Sequence, residues 1–246
     1  MTASPSDIDA NRMPVASVPR LPRVPLAVTG ALLLVVGVVL GFTVNSIGAQ
    51  STGELSLDVD IAGHRDGVLS ALAKFINVGI GPTVAPILLV IGCAFLWRRS
   101  RFAAVSIIGL TIAGWLSVEI GKFLVHRARP PMATVQALVT ETKADSYPSG
   151  HTAFAAALVF AIVATLILLG RPTRTAWWVG VPFIVVVAAS RLYLGAHYLT
   201  DVIASVIFAG GTVLIVLAVL GPWLLRLRDR EAQRGAQRDT DRARTA

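Results

Sequence analysis

Three short stretches of this chain carry side chains suited to handling phosphate. The first runs from Lys122 to Arg129 and Pro130, the second is Tyr147-Pro148-Ser149-Gly150-His151, and the third runs from Ser190 and Arg191 through His197 to Asp201. Lys122, Arg129 and Arg191 supply three cations. Arginine grips phosphate oxygens in pairs, whereas lysine acts as a compact point charge. Ser149 and Gly150 precede an apolar helical run, so the free N–H groups of that helix start, a small backbone and a hydroxyl donor all face an incoming anion. His197 and Asp201 are four residues apart, which on a helix stacks them on one face. A carboxylate on one ring nitrogen sets the tautomer and makes the other more basic. His197 is then prepared to attack phosphorus and form a phosphohistidine. His151 is left to protonate the leaving oxygen and afterwards to activate water, with the fixed cations balancing charge on the transferring group. This set needs no metal. Two histidines and one aspartate without further His or Cys are a poor ligand set, and no cofactor is expected.

The elements that must position these residues are apolar helices. Of 246 residues, 54% are hydrophobic and 15% charged, and the mean hydropathy is +0.70. Apolar residues come in long runs, which indicates an all-α polytopic membrane protein with one bundle domain and polar ends. A polar, proline-bearing tail over 1–24 reads as disordered and cytoplasmic. Six transmembrane helices are expected within residues 25–225: Pro25–Ile47, about Thr83–Trp97, Phe102–Val125, His151–Leu169, Ala176–Arg191 and His197–Leu225. A cleaved signal peptide ending near Ala49 is the competing reading of the first run, and its apolar core would be too long. Residues 49–67 are polar and acidic. Residues 68–78 place Val68, Leu69, Leu72, Phe75 and Ile76 near one face, as in a short interfacial helix. Residues 126–150 read as a polar loop, and 226–246 as a solvated, charged cytoplasmic tail with a helical bias.

Six spans put both termini on one side. The same side carries the turns around Arg98, Arg99 and Arg101 and around Arg171 and Arg174, together with the C-terminal arginines. The positive-inside rule makes it cytoplasmic. Alternation then brings all three blocks to the extracytoplasmic face of a plasma-membrane protein. The net charge of +8 lies in short loops and tails beside apolar runs, which fits topology and anionic headgroups better than nucleic acid. Cys93, the single cysteine, excludes an internal disulfide and reads as a small core or lipid-facing residue.

The spacings Lys-x6-Arg-Pro, Pro-Ser-Gly-His and Ser-Arg-x5-His-x3-Asp resemble those of the type 2 phosphatidic acid phosphatase (PAP2) family, whose superfamily includes the vanadium haloperoxidases. All three blocks match without departure, and the helix order fits over roughly residues 68–220. The resemblance implies a metal-independent phosphatase acting on lipid phosphates or pyrophosphates, with polyprenyl pyrophosphate, phosphatidic acid and phosphatidylglycerol phosphate as candidate substrates. It implies His197 as nucleophile, Asp201 as its partner and His151 as general acid, with Lys122, Arg129, Ser149, Gly150 and Arg191 binding phosphate. A lipid phosphotransferase with a non-water acceptor differs only in the acceptor. A lipid-phosphate transporter or receptor has no need of a poised His–Asp pair.

Several residues invite plainer readings. His64 and His126 are interfacial. Arg127 is a loop charge or an indirect phosphate contact. Glu119, three residues before Lys122, is expected to pair with it or with a polar neighbour. Tyr193, Tyr198, Trp177 and Trp178 are expected as interface anchors, and Ser190 as a packing or capping residue. Nothing in the sequence sets an oligomeric state.

Overall fold

The computed structural model describes residues 21–245 and is built from helices, with one isolated β-bridge from Ala128 to Asp145 among the described residues. Most of the tail expected over 1–24 therefore falls outside the described residues. In chain order the helices are α1 (Arg23–Ile47), α2 (Glu54–Gly63), α3 (Gly67–Gly79), α4 (Val84–Trp97), α5 (Arg101–Leu116), α6 (Val118–Val125), α7 (Gly150–Leu168), α8 (Arg174–Tyr193) and α9 (Leu199–Thr245). Five stretches are long and apolar enough to cross a membrane: α1, α5 with α6, α7, α8 and α9. A sixth is obtained if α3 and α4, bent by 62° at their junction, count as one span.

The most deeply packed of these helices is α7. Ala153, Ala155, Ala156, Ala157 and Ala161 are fully buried along it. Small side chains let neighbouring backbones approach closely, which drives helix association where lipid removes the hydrophobic incentive. The contact of α1 with α9 uses the same device: a Cβ on Gly30 would stand 2.5 Å from the Gly211 carbonyl oxygen, and one on Gly211 would stand 2.8 Å from that of Gly30. Val28, Leu32, Val35 and Val39 on the other side of α1 are exposed, as a lipid-facing surface requires.

Three elements differ from expectation. The span expected over Phe102–Val125 breaks at Ser117, whose hydroxyl donates to the Gly114 carbonyl at 2.6 Å. A serine bonding back onto its own helix bends it, and α6 carries Lys122 on the redirected turn. The acidic segment 49–67 contains a helix, α2, whose Glu54 and Asp58 are buried. The last span begins at Leu199 and continues unbroken to Thr245, so His197 precedes the helix instead of lying on it. The amphipathic segment does form α3, started by Asp66, whose Oδ1 accepts from the Val68 and Leu69 amides at 2.8 and 2.9 Å. Its Val68, Leu69, Leu72 and Phe75 are exposed. Cys93 packs in a core cluster with Leu89, Ala104 and Phe154.

Candidate active site

At one end of the bundle the loop from His126 to Ser149 folds over the ends of α6 and α8 and the starts of α7 and α9. Arg65 fastens it. Its Nε donates to the Tyr193 carbonyl at 2.7 Å, and its Nη1 donates to the carbonyls of Val135 and Gln136 at 3.1 and 2.6 Å. The Leu138 amide donates to the Leu194 carbonyl at 3.0 Å. Underneath lies a cavity of about 310 Å³. Lys122, Arg129, Gly150, His151 and His197 line it, together with the apolar side chains of Ile80, Pro82, Trp115, Leu116 and Val118. Five of the eight residues singled out by spacing thus meet in one chamber. Arg191 and Asp201 stand behind it, fully buried. Ser149 is also fully buried, and its hydroxyl accepts from that of Thr152 at 3.3 Å.

His197 sits in a tight turn that Gly195 opens with a φ of 69°, a left-handed conformation that suits glycine. Its Nε2 is 3.2 Å from Arg129 Nη1 and its Nδ1 is 3.5 Å from Asp201 Oδ2. The expected pairing with Asp201 is therefore present as proximity, but it is made from a turn and not by helical stacking. The ring is 2% exposed in side-chain area. Burial, and then the charges of Arg191, Arg129 and Lys122, hold its pKa well below the ordinary histidine value. That direction favours the neutral imidazole, the form that can act as a nucleophile.

The Asp201 carboxylate is held from two other directions. Oδ2 accepts from the Tyr198 amide just before α9 at 2.9 Å, the return half of a capping box. Oδ1 accepts from Arg127 Nη1 at 2.7 Å. Arg127 is buried. Its Nη2 donates to Glu54 Oε2 at 2.6 Å, and its guanidinium lies over the Tyr198 ring at 4.4 Å from the centroid. Glu54 Oε1 in turn accepts from the Thr200 amide and hydroxyl at 2.8 and 2.7 Å. Burial works to raise the Glu54 carboxyl, but the Thr200 bonds and Arg127 outweigh it and keep Glu54 below the usual carboxylate range. One turn further along α2, Asp58 is fully buried with neither oxygen bonded. Burial, then Asp201 and Glu54, push its pKa up to about 7.

The cations have partners of their own. Lys122 Nζ donates to the Asp145 carbonyl at 2.9 Å. Arg129 donates to the carbonyls of Lys143 and Ala196 at 2.7 and 2.8 Å. Arg191 bonds Asn77 Oδ1 through Nη1 and Glu141 Oε1 through Nη2. The other Glu141 oxygen is 3.7 Å from Arg129 Nη2. Burial opposes ionisation of Glu141, yet Arg191 and Arg129 hold its pKa below the usual range. A carboxylate from the loop thus lies between two guanidiniums expected to take phosphate. His151, in the first turn of α7, has Nε2 at 3.1 Å from the Asn77 carbonyl. Among the described residues, no three His, Cys, Asp or Glu side chains gather as a metal site.

Glu54, Thr200, Asn77 and Glu141 were not among the residues picked out by spacing; Thr200 lies within the third block, and the other three reach the site from outside the blocks or from between them. Arg127 bridges two carboxylates, which neither reading of it anticipated. Tyr198 is buried beneath Arg127 instead of anchoring an interface, whereas Trp178 is exposed. Glu119 pairs with Lys143 at 3.0 Å and not with Lys122. Ser190 packs, its hydroxyl donating to the Val187 carbonyl.

The chain matches the model of the PAP2 superfamily over residues 87–224. Phosphatidylglycerophosphatase B of Bacillus subtilis is 24% identical over 183 residues, spanning 73% of this chain and 87% of that protein. Decaprenylphosphoryl-5-phosphoribose phosphatase of Mycobacterium tuberculosis is 33% identical over 148 residues, spanning 58% of this chain and 75% of that one. Among solved structures, the transmembrane PAP2-type phosphatidylglycerolphosphate phosphatase of B. subtilis superposes with a TM-score of 0.64 at 22% identity, covering 77% of this chain and 94% of that one. That likeness establishes the fold. The matched segment contains all three blocks but leaves out Glu54, Arg65 and Asn77.

Two outcomes follow from this geometry. Arg127→Gln removes the bond that orients Asp201, and kcat is expected to fall by roughly 10–100-fold, as when other orienting partners of a histidine are lost. KM should change little, because Arg127 does not line the cavity. Steady-state kinetics in detergent, beside a thermal-unfolding control, would separate this from simple misfolding. Glu141→Gln keeps the shape of the loop but removes the competing negative charge. KM for an anionic substrate should drop, and inhibition by inorganic phosphate should strengthen; an unchanged KM would mean that the carboxylate does not compete.

Proposed function

The chain belongs to the PAP2 superfamily, and from that premise we propose that it is an integral-membrane phosphatase. It hydrolyses a lipid phosphate or pyrophosphate, of the polyprenyl pyrophosphate, phosphatidic acid or phosphatidylglycerol phosphate type, through a phosphohistidine. The observation that carries this reading is the cavity itself. His197 beside a carboxylate, His151, Lys122 and Arg129 line it together with apolar side chains of the α3–α4 junction and of α5–α6. A phosphorylated headgroup and the first carbons of its lipid match those two kinds of lining.

In this mechanism the substrate phosphoryl group displaces Glu141 and is taken by Lys122, Arg129 and Arg191, with the Gly150 backbone at the start of α7. His197 Nε2 attacks phosphorus. The bond from phosphorus to the lipid oxygen breaks, and His151 delivers a proton to that oxygen. Asp201, next to Nδ1, stabilises the imidazole as it gains positive charge. Water then attacks phosphorus and gives a proton to His151 while the bond from phosphorus to His197 Nε2 breaks, which frees inorganic phosphate and the imidazole. The fixed cations oppose charge on the equatorial oxygens throughout. Arg191 belongs to this set because its bond to Glu141 is the one a phosphate would inherit.

The arginine-rich turns and the C-terminal arginines support a topology in which both termini are cytoplasmic and the cavity opens on the extracytoplasmic side of the cell membrane. A lipid substrate would then enter from the outer leaflet.

Phosphate release from a side-by-side panel of polyprenyl pyrophosphate, phosphatidic acid and phosphatidylglycerol phosphate tests the reading. Purified protein should release phosphate from at least one of them in the presence of EDTA, with vanadate inhibiting. Loss of turnover in EDTA, restored by a divalent cation, would overturn the metal-free mechanism. Appearance of the phosphoryl group on an added alcohol instead of in solution would make the enzyme a transferase.

A further inference from the structure

The opposite end of the bundle carries a second polar feature that the hydrolytic reading does not use. The turn from α4 to α5 and the far part of α9 face each other across a cavity of about 660 Å³. Seven arginines line it, against one acid, Glu231. Arg98, Arg99 and Arg101 form one bank. The other is Arg230, Arg234 and Arg238, spaced four apart so that one face of α9 carries all three.

Two contacts fix the banks in place. Glu231 Oε2 accepts from the Phe102 amide at 2.8 Å, at the start of α5, so the one lining acid is already engaged. Arg228 Nη1 donates to the Leu168 carbonyl at 2.6 Å, at the end of α7. Like charges held on facing walls repel unless an anion lies between them.

The floor and rim show what kind of anion fits. Phe102, Leu169 and Leu227 make part of the lining apolar. Trp97 lies at the rim with the Arg101 guanidinium 5.6 Å from its ring centroid. A half-exposed tryptophan at the end of an apolar helix marks the depth of the lipid headgroups. One and two turns back along the same face of α4, Ala94 and Val90 are exposed. A phosphate at the level of the arginines would therefore carry its acyl chains down an apolar track already present. A free inorganic anion has no use for that track.

We propose that this cavity is a binding site for the headgroup of an anionic glycerophospholipid, separate from the site of hydrolysis and in the opposite leaflet. The bound lipid neutralises the two arginine banks and holds the extension of α9 against the α4–α5 turn.

Full-length protein in detergent, titrated with phosphatidylglycerol or phosphatidylcholine and read by native mass spectrometry, tests this. Phosphatidylglycerol should be retained and phosphatidylcholine should not. In the triple variant R98Q/R99Q/R234Q, retention should weaken by roughly 100-fold, each juxtamembrane cation contributing about fivefold. Phosphate release by the triple variant should match that of the parent, which also shows that it is folded. Equal retention of both lipids, undiminished retention by the triple variant, or displacement of phosphatidylglycerol by an equal concentration of inorganic phosphate would overturn the proposal. So would loss of retention in Lys122→Gln alone, which would locate the lipid in the hydrolytic cavity.

Discussion

The bond between Arg127 and Asp201, buried at both ends, is the constraint on which the cavity end of this molecule depends. An unpaired charge at this depth costs several kcal/mol, so removing one partner of such a pair is far more damaging than never having built it. Arg127 therefore needs both of its carboxylates, and they come from helices far apart in sequence. Glu54 brings α2 to the site, Asp201 brings α9, and Tyr198 closes the face of the guanidinium. The same contacts leave Asp201 little freedom to rotate, and His197 lies beside it. Burial, Asp201 and Glu54 push the Asp58 carboxyl up to about 7, which weakens its competition with Glu54 and Asp201 for Arg127.

A chamber holding several cations is stable only if their charge is answered when no substrate is bound. Glu141 answers it, bonding Arg191 and facing Arg129. Both arginines are thereby held side by side, the arrangement that the proposed phosphate binding requires. The remaining scaffold is built for closeness. Alanines along α7 and the Gly30–Gly211 contact let the helices that carry the three blocks converge at one end, while the bend at Ser117 turns Lys122 into the chamber.

Much of this was legible in the chain. Apolar runs are local signals, and they located α1, α4, α7 and α8 to within a few residues. Spacing within the three blocks selected five residues that line the chamber and two that stand directly behind it. The sequence hid what depends on partners distant along the chain. The acidic residues of 49–67 look like an ordinary solvated segment until Arg127, more than seventy positions later, is seen to bury Glu54. Tyr198 has the composition of an interface anchor, and only the guanidinium above it accounts for its burial. The pairing of His197 with Asp201 was anticipated through the wrong geometry. A spacing of four fits a helix, but here a glycine turn and an N-terminal capping contact bring the two together. Ser149, chosen as a phosphate donor, has its hydroxyl turned into the protein toward Thr152.

The proposed hydrolysis turns on one covalent step, transfer of phosphorus to the nitrogen of His197. Rapid acid-free quenching of the enzyme with a substrate labelled on its phosphoryl group, followed by peptide mapping, looks for that bond directly. A phosphohistidine intermediate requires an alkali-stable, acid-labile label on His197 that accumulates when His151 is replaced by alanine and is absent from His197→Ala. Undiminished turnover by His197→Ala, or label on another residue, would contradict it.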